Sequence, residues 1–481
     1  MKKEGRGISF EQKIVIAYVL IFLFSFSYKF GGYFYQIINN GSLLGMVLAA
    51  LLNVLGMFIF PFVLIFTPVL DSSITFLPFA FTTMYSLIVI FALFMFVLIK
   101  KEKVKKDNNF FIIIIFTITA FLTTIINGHP PGFGNWEFTH YITAIICYFI
   151  ISTLISTKKK MRLFTWVFVL FMGAMAFRLF NWVYSYNTAI WGLSGGNNHL
   201  ARLFSFVIFF VIGAFWAEKK NYLKVLIVII LAFLANGIVQ LGSRATMMSV
   251  LVAGVFLFFH NIRKRSTWVF ALLAFVLVAF FAPSLFFEEA STISQISEGT
   301  EAEEGSISSR TGIALIGFEV FTENPIIGYG IRPMGFVQVV KEKYGLTLNA
   351  HNSYIIVAVE MGIVGLISYV LLYFMSIYLC FKAQKLCNGK DDYLYHIANG
   401  TMFGVIALSI NNFMLNQPWQ MIFIAAGISS AVYYLANNLE EKTELSEEEL
   451  IKEKTKDEKN KPVPGKATKK QKKKFKKSLS K

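Results

Sequence analysis

Residues 110–126 read Phe-Phe-Ile-Ile-Ile-Ile-Phe-Thr-Ile-Thr-Ala-Phe-Leu-Thr-Thr-Ile-Ile, with no charged side chain. A helix of this length and polarity crosses most of a hydrocarbon layer about 30 Å thick, which takes roughly 20 residues. Ile14 to Tyr28 is of the same kind, and Tyr222 to Leu241 carries a single charge, Lys224, near its start. Composition agrees: the chain has 481 residues, 56% of them hydrophobic and 15% charged, with a mean hydropathy of +0.60. Soluble domains are nearer a quarter charged. These values exclude a soluble enzyme, a fibrous protein, a disulfide scaffold and a single-anchor membrane protein. The fold class expected is all-α, a polytopic transmembrane helical bundle.

Outward from these runs, the sequence predicts helices near 110–127, 138–156, 163–180, 199–217, 222–241, 245–260, 266–287, 352–382, 394–415 and 419–437. Residues 43–99 carry a single charge, Asp71, and are interrupted by Pro61, Pro68 and Pro78. Two or four spans before Lys100 would give an even total of about 12 to 14 helices. The first run follows Lys2, Lys3, Arg6 and Lys13 but lacks a small-residue cleavage site, so it reads as a first transmembrane helix.

The net charge of +17 would suggest nucleic acid in a soluble chain. Here short basic loops explain it: Lys100–Lys106, Lys158–Arg162, Lys219–Lys224, Arg263–Arg265, Lys382–Lys390 and the tail after Glu440. All fall on one side when the helices are counted through, the side the positive-inside rule makes cytoplasmic. The expected layout is a cytoplasmic N-terminus (1–12), transmembrane helices (13–287), a large extracytoplasmic loop (288–350), further transmembrane helices (351–439) and a basic disordered cytoplasmic tail (440–481). Lys461 to Lys481 holds ten lysines and no acid, and is expected to be drawn to anionic inner-leaflet lipid. No nucleic-acid partner is expected. Cys147, Cys380 and Cys387 show no metal-ligand spacing, and the first two, inside apolar runs, read as packing residues.

The unusual residues lie on the other side. The large loop begins acidic, with Glu288, Glu289, Glu298, Glu301, Glu303 and Glu304. It turns amphipathic around Arg310–Phe321, where Ile313, Ile316, Val320 and Phe321 share a helical face; Asn324-Pro325 ends that helix, and Gly328-Tyr329-Gly330 marks a tight bend. Of nine arginines, Arg178, Arg202, Arg244, Arg310 and Arg332 fall on this outer side or at outer helix ends. A guanidinium is a planar fork that grips phosphate or carboxylate in two places, so five forks on one face point to an anionic ligand, with phosphate the natural one. The plainer reading pairs them with loop glutamates or lipid headgroups. His351 stands where the loop meets the next helix. Its ordinary pKa leaves much of it neutral at pH 7, able to take a proton from a hydroxyl nearby. Glu360, nine residues on, reads as structural.

These residues resemble the O-antigen ligase and polymerase superfamily, the Wzy/WaaL-like membrane glycosyltransferases. The resemblance rests on four stretches: Asn197-Asn198-His199-Leu200-Ala201, the turn Gly242-Ser243-Arg244-Ala245, then Ser309-Arg310-Thr311 with Glu323-Asn324-Pro325-Ile326-Ile327-Gly328-Tyr329-Gly330, and His351-Asn352-Ser353-Tyr354 continued by Glu360-Met361-Gly362-Ile363-Val364-Gly365. The chain departs at Gly312-Ile313-Ala314, where many members carry an aromatic. The resemblance implies a metal-independent glycosyltransferase without a cofactor, using a polyprenyl-diphosphate-linked glycan donor and a glycan acceptor. It assigns the diphosphate to Arg244 and Arg310, and the acceptor hydroxyl to His351. Arg332, Arg202, Asn352 and Tyr354 are further substrate-binding candidates. The function expected is a polysaccharide polymerase of the capsule, exopolysaccharide or O-antigen type at the outer face of the cytoplasmic membrane, working beside other polysaccharide-assembly proteins. The alternatives are a ligase that moves finished glycan to a lipid or protein acceptor, and, from another class, a lipid-linked oligosaccharide flippase. A flippase should show repeated halves, which the sequence lacks.

Overall fold

The structure, a computed structural model, describes residues 105–129, 136–181, 197–241, 243–268, 307–332, 335–347, 350, 352–387, 389, 392–414 and 421–438. Among the described residues all regular structure is helical. The principal helices are α1 (Asn108–Ile126), α2 (Trp136–Leu154), α3 (Lys158–Asn181), α4 (Asn197–Ala217), α5 (Asn221–Gln240), α6 (Arg244–His260), α7 (Ile307–Glu323), α8 (Gly335–Tyr344), α9 (Ser353–Leu386), α10 (Tyr393–Met414) and α11 (Met421–Asn438). Five are long and apolar enough to cross a membrane: α1, α5, α9, α10 and α11. The expected spans before Lys100, the rest of the helix at 266–287, the acidic stretch 288–304, His351 and the basic tail lie outside the described residues.

Most helix ends fall where the sequence places them, for local reasons. Asp107 starts α1 by accepting the Phe110 amide at 3.0 Å, and Thr157 starts α3 by accepting the Lys160 amide at 3.2 Å. Such caps satisfy amides that a first turn leaves without partners. The Thr157 cap begins α3 at Lys158 rather than at 163.

The helices sort into a buried centre and a greasy rim. On α1, Phe111, Ile115, Ile118, Leu122 and Ile125 form an exposed stripe, while Ile113, Phe116 and Ala120 are buried on the opposite face. Exposed stripes recur on α6 (Met248, Leu251, Val255) and α9 (Ile367, Leu371, Phe374, Tyr378). Apolar faces turned outward suit lipid, which the composition requires this rim to meet. Helix α10 is enclosed and runs antiparallel to α4. A Cβ on Gly213 would stand 2.6 Å from the His396 carbonyl oxygen and 2.9 Å from Gly400 Cα. Small residues at such crossings let backbones touch, the main source of attraction where lipid is as apolar as the protein. Cys147, Cys380 and Cys387 are buried free thiols, as packing residues should be.

The two ends of the bundle differ in chemistry. One end gathers the basic loops. Lys105 Nζ donates to the Ile155 carbonyl at 2.6 Å, Lys158 pairs with Asp392 at 2.8 Å, and Lys264 Nζ lies 3.4 Å from His396 Nδ1. Arg162 grips both carboxylate oxygens of buried Glu218, at 3.1 and 3.0 Å, and Trp166 Nε1 donates to the same group at 3.3 Å. The opposite end holds the glycine-rich elements and most of the singled-out polar residues.

Candidate active site

Helix α9 is where the sequence expectation changes. A single helix was expected over 352–382, but the backbone breaks at Gly362, with φ 65° and ψ −166°, a region open essentially to glycine alone. The break strands backbone groups, and the bend after α7 takes them up. Tyr329 N donates to the Val359 carbonyl at 2.8 Å, Gly330 N to the Glu360 carbonyl at 2.9 Å, and Ile363 N to the Pro325 carbonyl at 2.7 Å. Gly328 and Gly330 have φ of 70° and 75°, and a Cβ on Gly328 would stand 2.7 Å from the Glu360 carbonyl. The Pro325–Gly330 stretch and the Glu360–Gly365 stretch are therefore two halves of one clasp. Neither half can keep its shape without the other, since each satisfies groups the other leaves open.

The clasp is fastened to the end of α1. Asn127 Nδ2 donates to the Gly328 carbonyl at 3.2 Å, and the Ile331 amide donates to Thr124 Oγ1 at 3.2 Å. Glu360 is 2% exposed and accepts the Tyr141 hydroxyl at 2.8 Å, while its other oxygen presses on Gly335 at the start of α8. That agrees with the structural reading of this carboxylate.

Above the break, α9 begins at Ser353. Asn352 caps it, its Oδ1 accepting the amides of Tyr354 and Ile355 at 2.9 and 3.2 Å. Tyr354 turns inward, donating from its hydroxyl to the Ser409 carbonyl at 3.1 Å, with its ring 5.5 Å from that of Tyr369 and 6.0 Å from that of Tyr373. Tyr369 and Tyr373 hydroxyls lie 3.0 Å apart and both receive Asn412 Nδ2. Arg202 belongs to this cluster. It is fully buried in the first turns of α4, and none of its three guanidinium nitrogens has a hydrogen-bond partner among the described residues. An ionised group of that kind costs several kcal/mol in a low-dielectric interior unless an anion answers it, on the order of 3–5 kcal/mol for a pair that has lost one partner. The Oδ1 atoms of Asn411 and Asn412 are likewise buried and unpartnered.

Next to it, the Ser243 turn joins the same core. Asn411 Nδ2 donates to Thr246 Oγ1 at 2.9 Å, and Thr246 donates to Ser243 Oγ at 3.0 Å. Arg244 is the first residue of α6 and Arg310 lies in the first turn of α7. Their side chains, like that of Arg178, lie outside the described groups, and so does His351 entirely. Arg332 stands apart from the Arg202 cluster. Its Nη1 donates to Glu342 at 2.8 Å, so one prong of the fork is engaged within the loop, while its Nε is unpartnered. Burial of His129, and next the charge of Arg332, hold its imidazole below the usual pKa.

The structure thus brings Arg202, Tyr354 and the cap at Asn352 to one end of the bundle, with the Ser243 turn beside them. Tyr369, Tyr373, Asn411 and Asn412 complete this core and were not singled out by the sequence reading. The signal available was a pair of asparagines in an apolar helix and two tyrosines one turn apart. Among the described residues, no three His, Cys, Asp or Glu side chains come together as metal ligands.

A buried guanidinium with no hydrogen-bond partner among the described residues, at this end of the bundle, calls for an anion. Residues 229–370 match the family model Wzy_C, described as O-antigen ligase. The match runs from α5 into α9 and takes in the Ser243 turn, α7 and both halves of the clasp. It bears out the resemblance to the O-antigen ligase and polymerase family. No curated protein matches the chain.

Proposed function

We propose that the protein is a polysaccharide polymerase that joins polyprenyl-diphosphate-linked oligosaccharide repeat units at the outer face of the cytoplasmic membrane. The observation that carries this reading is Arg202, a buried guanidinium whose three nitrogens have no hydrogen-bond partner among the described residues, at the end of the bundle opposite the basic loops. A diphosphate supplies the anion such a group calls for. In the proposed reaction, a sugar hydroxyl of one unit attacks the anomeric carbon of another. The bond from that carbon to the diphosphate oxygen breaks, and the polyprenyl diphosphate leaves with the electron pair. Arg202, Arg244 and Arg310 steady the charge on the leaving diphosphate, and neutral His351 accepts the hydroxyl proton. Arg332, Asn352 and Tyr354 shape the surroundings. In this reading both termini are cytoplasmic and residues 288–350 lie outside, an orientation supported by the common side of the basic loops.

A second reading, equally compatible with the family match, is a ligase that transfers the glycan once to a lipid or protein acceptor. Both readings use one donor and one leaving group. Purified protein in nanodiscs, given defined lipid-linked repeat units and excess chelator, decides between them. A ladder of products spaced by one repeat supports polymerisation; a single transfer that requires a separate acceptor supports ligation. Neither product, with donor intact, overturns both.

A further inference from the structure

Helix α7 carries apolar residues on two faces, and only one of them is used inside the protein. Ile313, Ile316 and Val320 face inward, with Gly317 pressed onto α9 so closely that a Cβ there would stand 2.5 Å from Ile355 Cγ2. Leu315 and Phe318 face away, 65% and 62% exposed. With about 3.6 residues per turn, they form one flank of the outer surface, and Glu319 and Glu323 form the other. The acidic flank is fully engaged by its neighbours: Tyr344 bonds Glu319, Lys343 pairs with Glu323, and the Tyr329 hydroxyl donates to Glu323 at 2.7 Å. The apolar flank has no such cover among the described residues.

The clasp then decides where that flank sits. Ile326, 70% exposed, follows α7, and its carbonyl lies against Gly362, where α9 breaks. The next residues of α9, Ile363, Val364 and Ile367, begin the exposed stripe that continues through Leu371, Phe374 and Tyr378. The uncovered flank of α7, the Ile326 turn and the lipid-facing stripe of α9 therefore form one continuous apolar surface. A stripe that must meet acyl chains cannot end abruptly in water at Ile363 while three more exposed apolar side chains adjoin it.

We propose that α7 lies in the headgroup zone of the bilayer, with Leu315, Phe318 and Ile326 inserted among the acyl chains and the acidic flank turned to water. Helices of this kind bury their apolar face about 5–10 Å into the boundary of headgroups and chains. This seat rests on the proposed function for its purpose. It holds Arg310, in the first turn of α7, at the depth where a lipid-linked phosphate lies, and spares the enzyme from lifting its donor out of the membrane. The seat itself is tested without any substrate.

A nitroxide label on Phe318→Cys, and separately on Leu315→Cys, reports collisions with oxygen, which concentrates in lipid, and with a water-soluble nickel chelate. The three native thiols are buried, so the label goes to the new one. In nanodiscs, oxygen should relax the label more than the chelate at 318 and 315, and the order should reverse at Lys341→Cys on the exposed side of α8. Chelate dominance at 318 and 315 would place the flank in water and overturn the proposal. Exclusion of both reagents would mean that another segment or a second copy covers it, which overturns it equally. Polymer formation is measured on the same samples, so loss of the seat and loss of the polymerase reading are seen separately.

Discussion

Substituting Gly362 by alanine perturbs the clasp at its tightest point. The residue sits at φ 65°, ψ −166°, and a Cβ there would be driven into the Ile326 carbonyl, with Ile327 N 3.0 Å away. The backbone conformation alone costs a non-glycine residue about 1–3 kcal/mol. Overpacking against a fixed carbonyl adds about 1–3 kcal/mol more. Against this stand the three hydrogen bonds from Tyr329, Gly330 and Ile363, together contributing about 1.5–4.5 kcal/mol. The two sums are of the same size, so the clasp should open while the bundle stays folded. Hydrogen exchange read by mass spectrometry over 325–331 should quicken by about thirtyfold for 2 kcal/mol of lost local stability, since about 1.4 kcal/mol is a factor of ten. Exchange in the enclosed α4 and α10 should not change, and polymer formation should fall with the clasp, because α7 and the start of α9 lose their mutual register. Wild-type protection at 329 and 330 in the Gly362→Ala protein would refute the clasp as the element that sets this register.

Two further outcomes follow from individual side chains. Arg202→Met fills similar volume without the charge, so the melting temperature should match or exceed wild type. Activity should drop at least about tenfold, because hydrogen bonds to a charged group contribute about 1.5–3 kcal/mol each. A large fall in melting temperature with activity kept would make Arg202 structural. His129 is held below its ordinary pKa of 6.5, so the unfolded chain binds the proton more readily. Stability tied to this group is complete above 6.5 and is lost as pH falls through that value toward the lower folded one. Exchange at Gly330 and Ile331, corrected for intrinsic rates, should therefore rise on acidification, and His129→Gln should remove that rise.

The helices were legible because long apolar runs leave little else for the backbone to do, and helix ends follow from short-range caps such as Asp107 and Thr157. The amphipathic stretch Arg310–Phe321 was legible for the same reason, and Val320 is buried as its spacing implied. What the spacing could not show was the break at Gly362. The signal was a glycine in an apolar helix, which is common, and its meaning depends on partners more than thirty positions earlier. Helix α8 gives little signal in the sequence because its apolar face is short and follows a glycine-rich bend. The arginines were legible as a group but not in their differences. One fork is partly taken by Glu342 and another is buried without a hydrogen-bond partner among the described residues, and such distinctions come from packing that sequence distance hides.

In the proposed reaction a diphosphate-linked glycan is held by arginines while His351 takes the proton of the attacking hydroxyl. The most direct test compares wild type, His351→Ala and His351→Gln in nanodiscs, measuring donor binding and product formation on the same preparations. Donor binding should stay close to wild type in both variants and product formation should fall by about 100-fold or more, the usual contribution of general acid–base catalysis. Product formation within a few-fold of wild type in His351→Gln would show that the residue orients the acceptor without taking its proton. Full activity in both variants would contradict the mechanism outright.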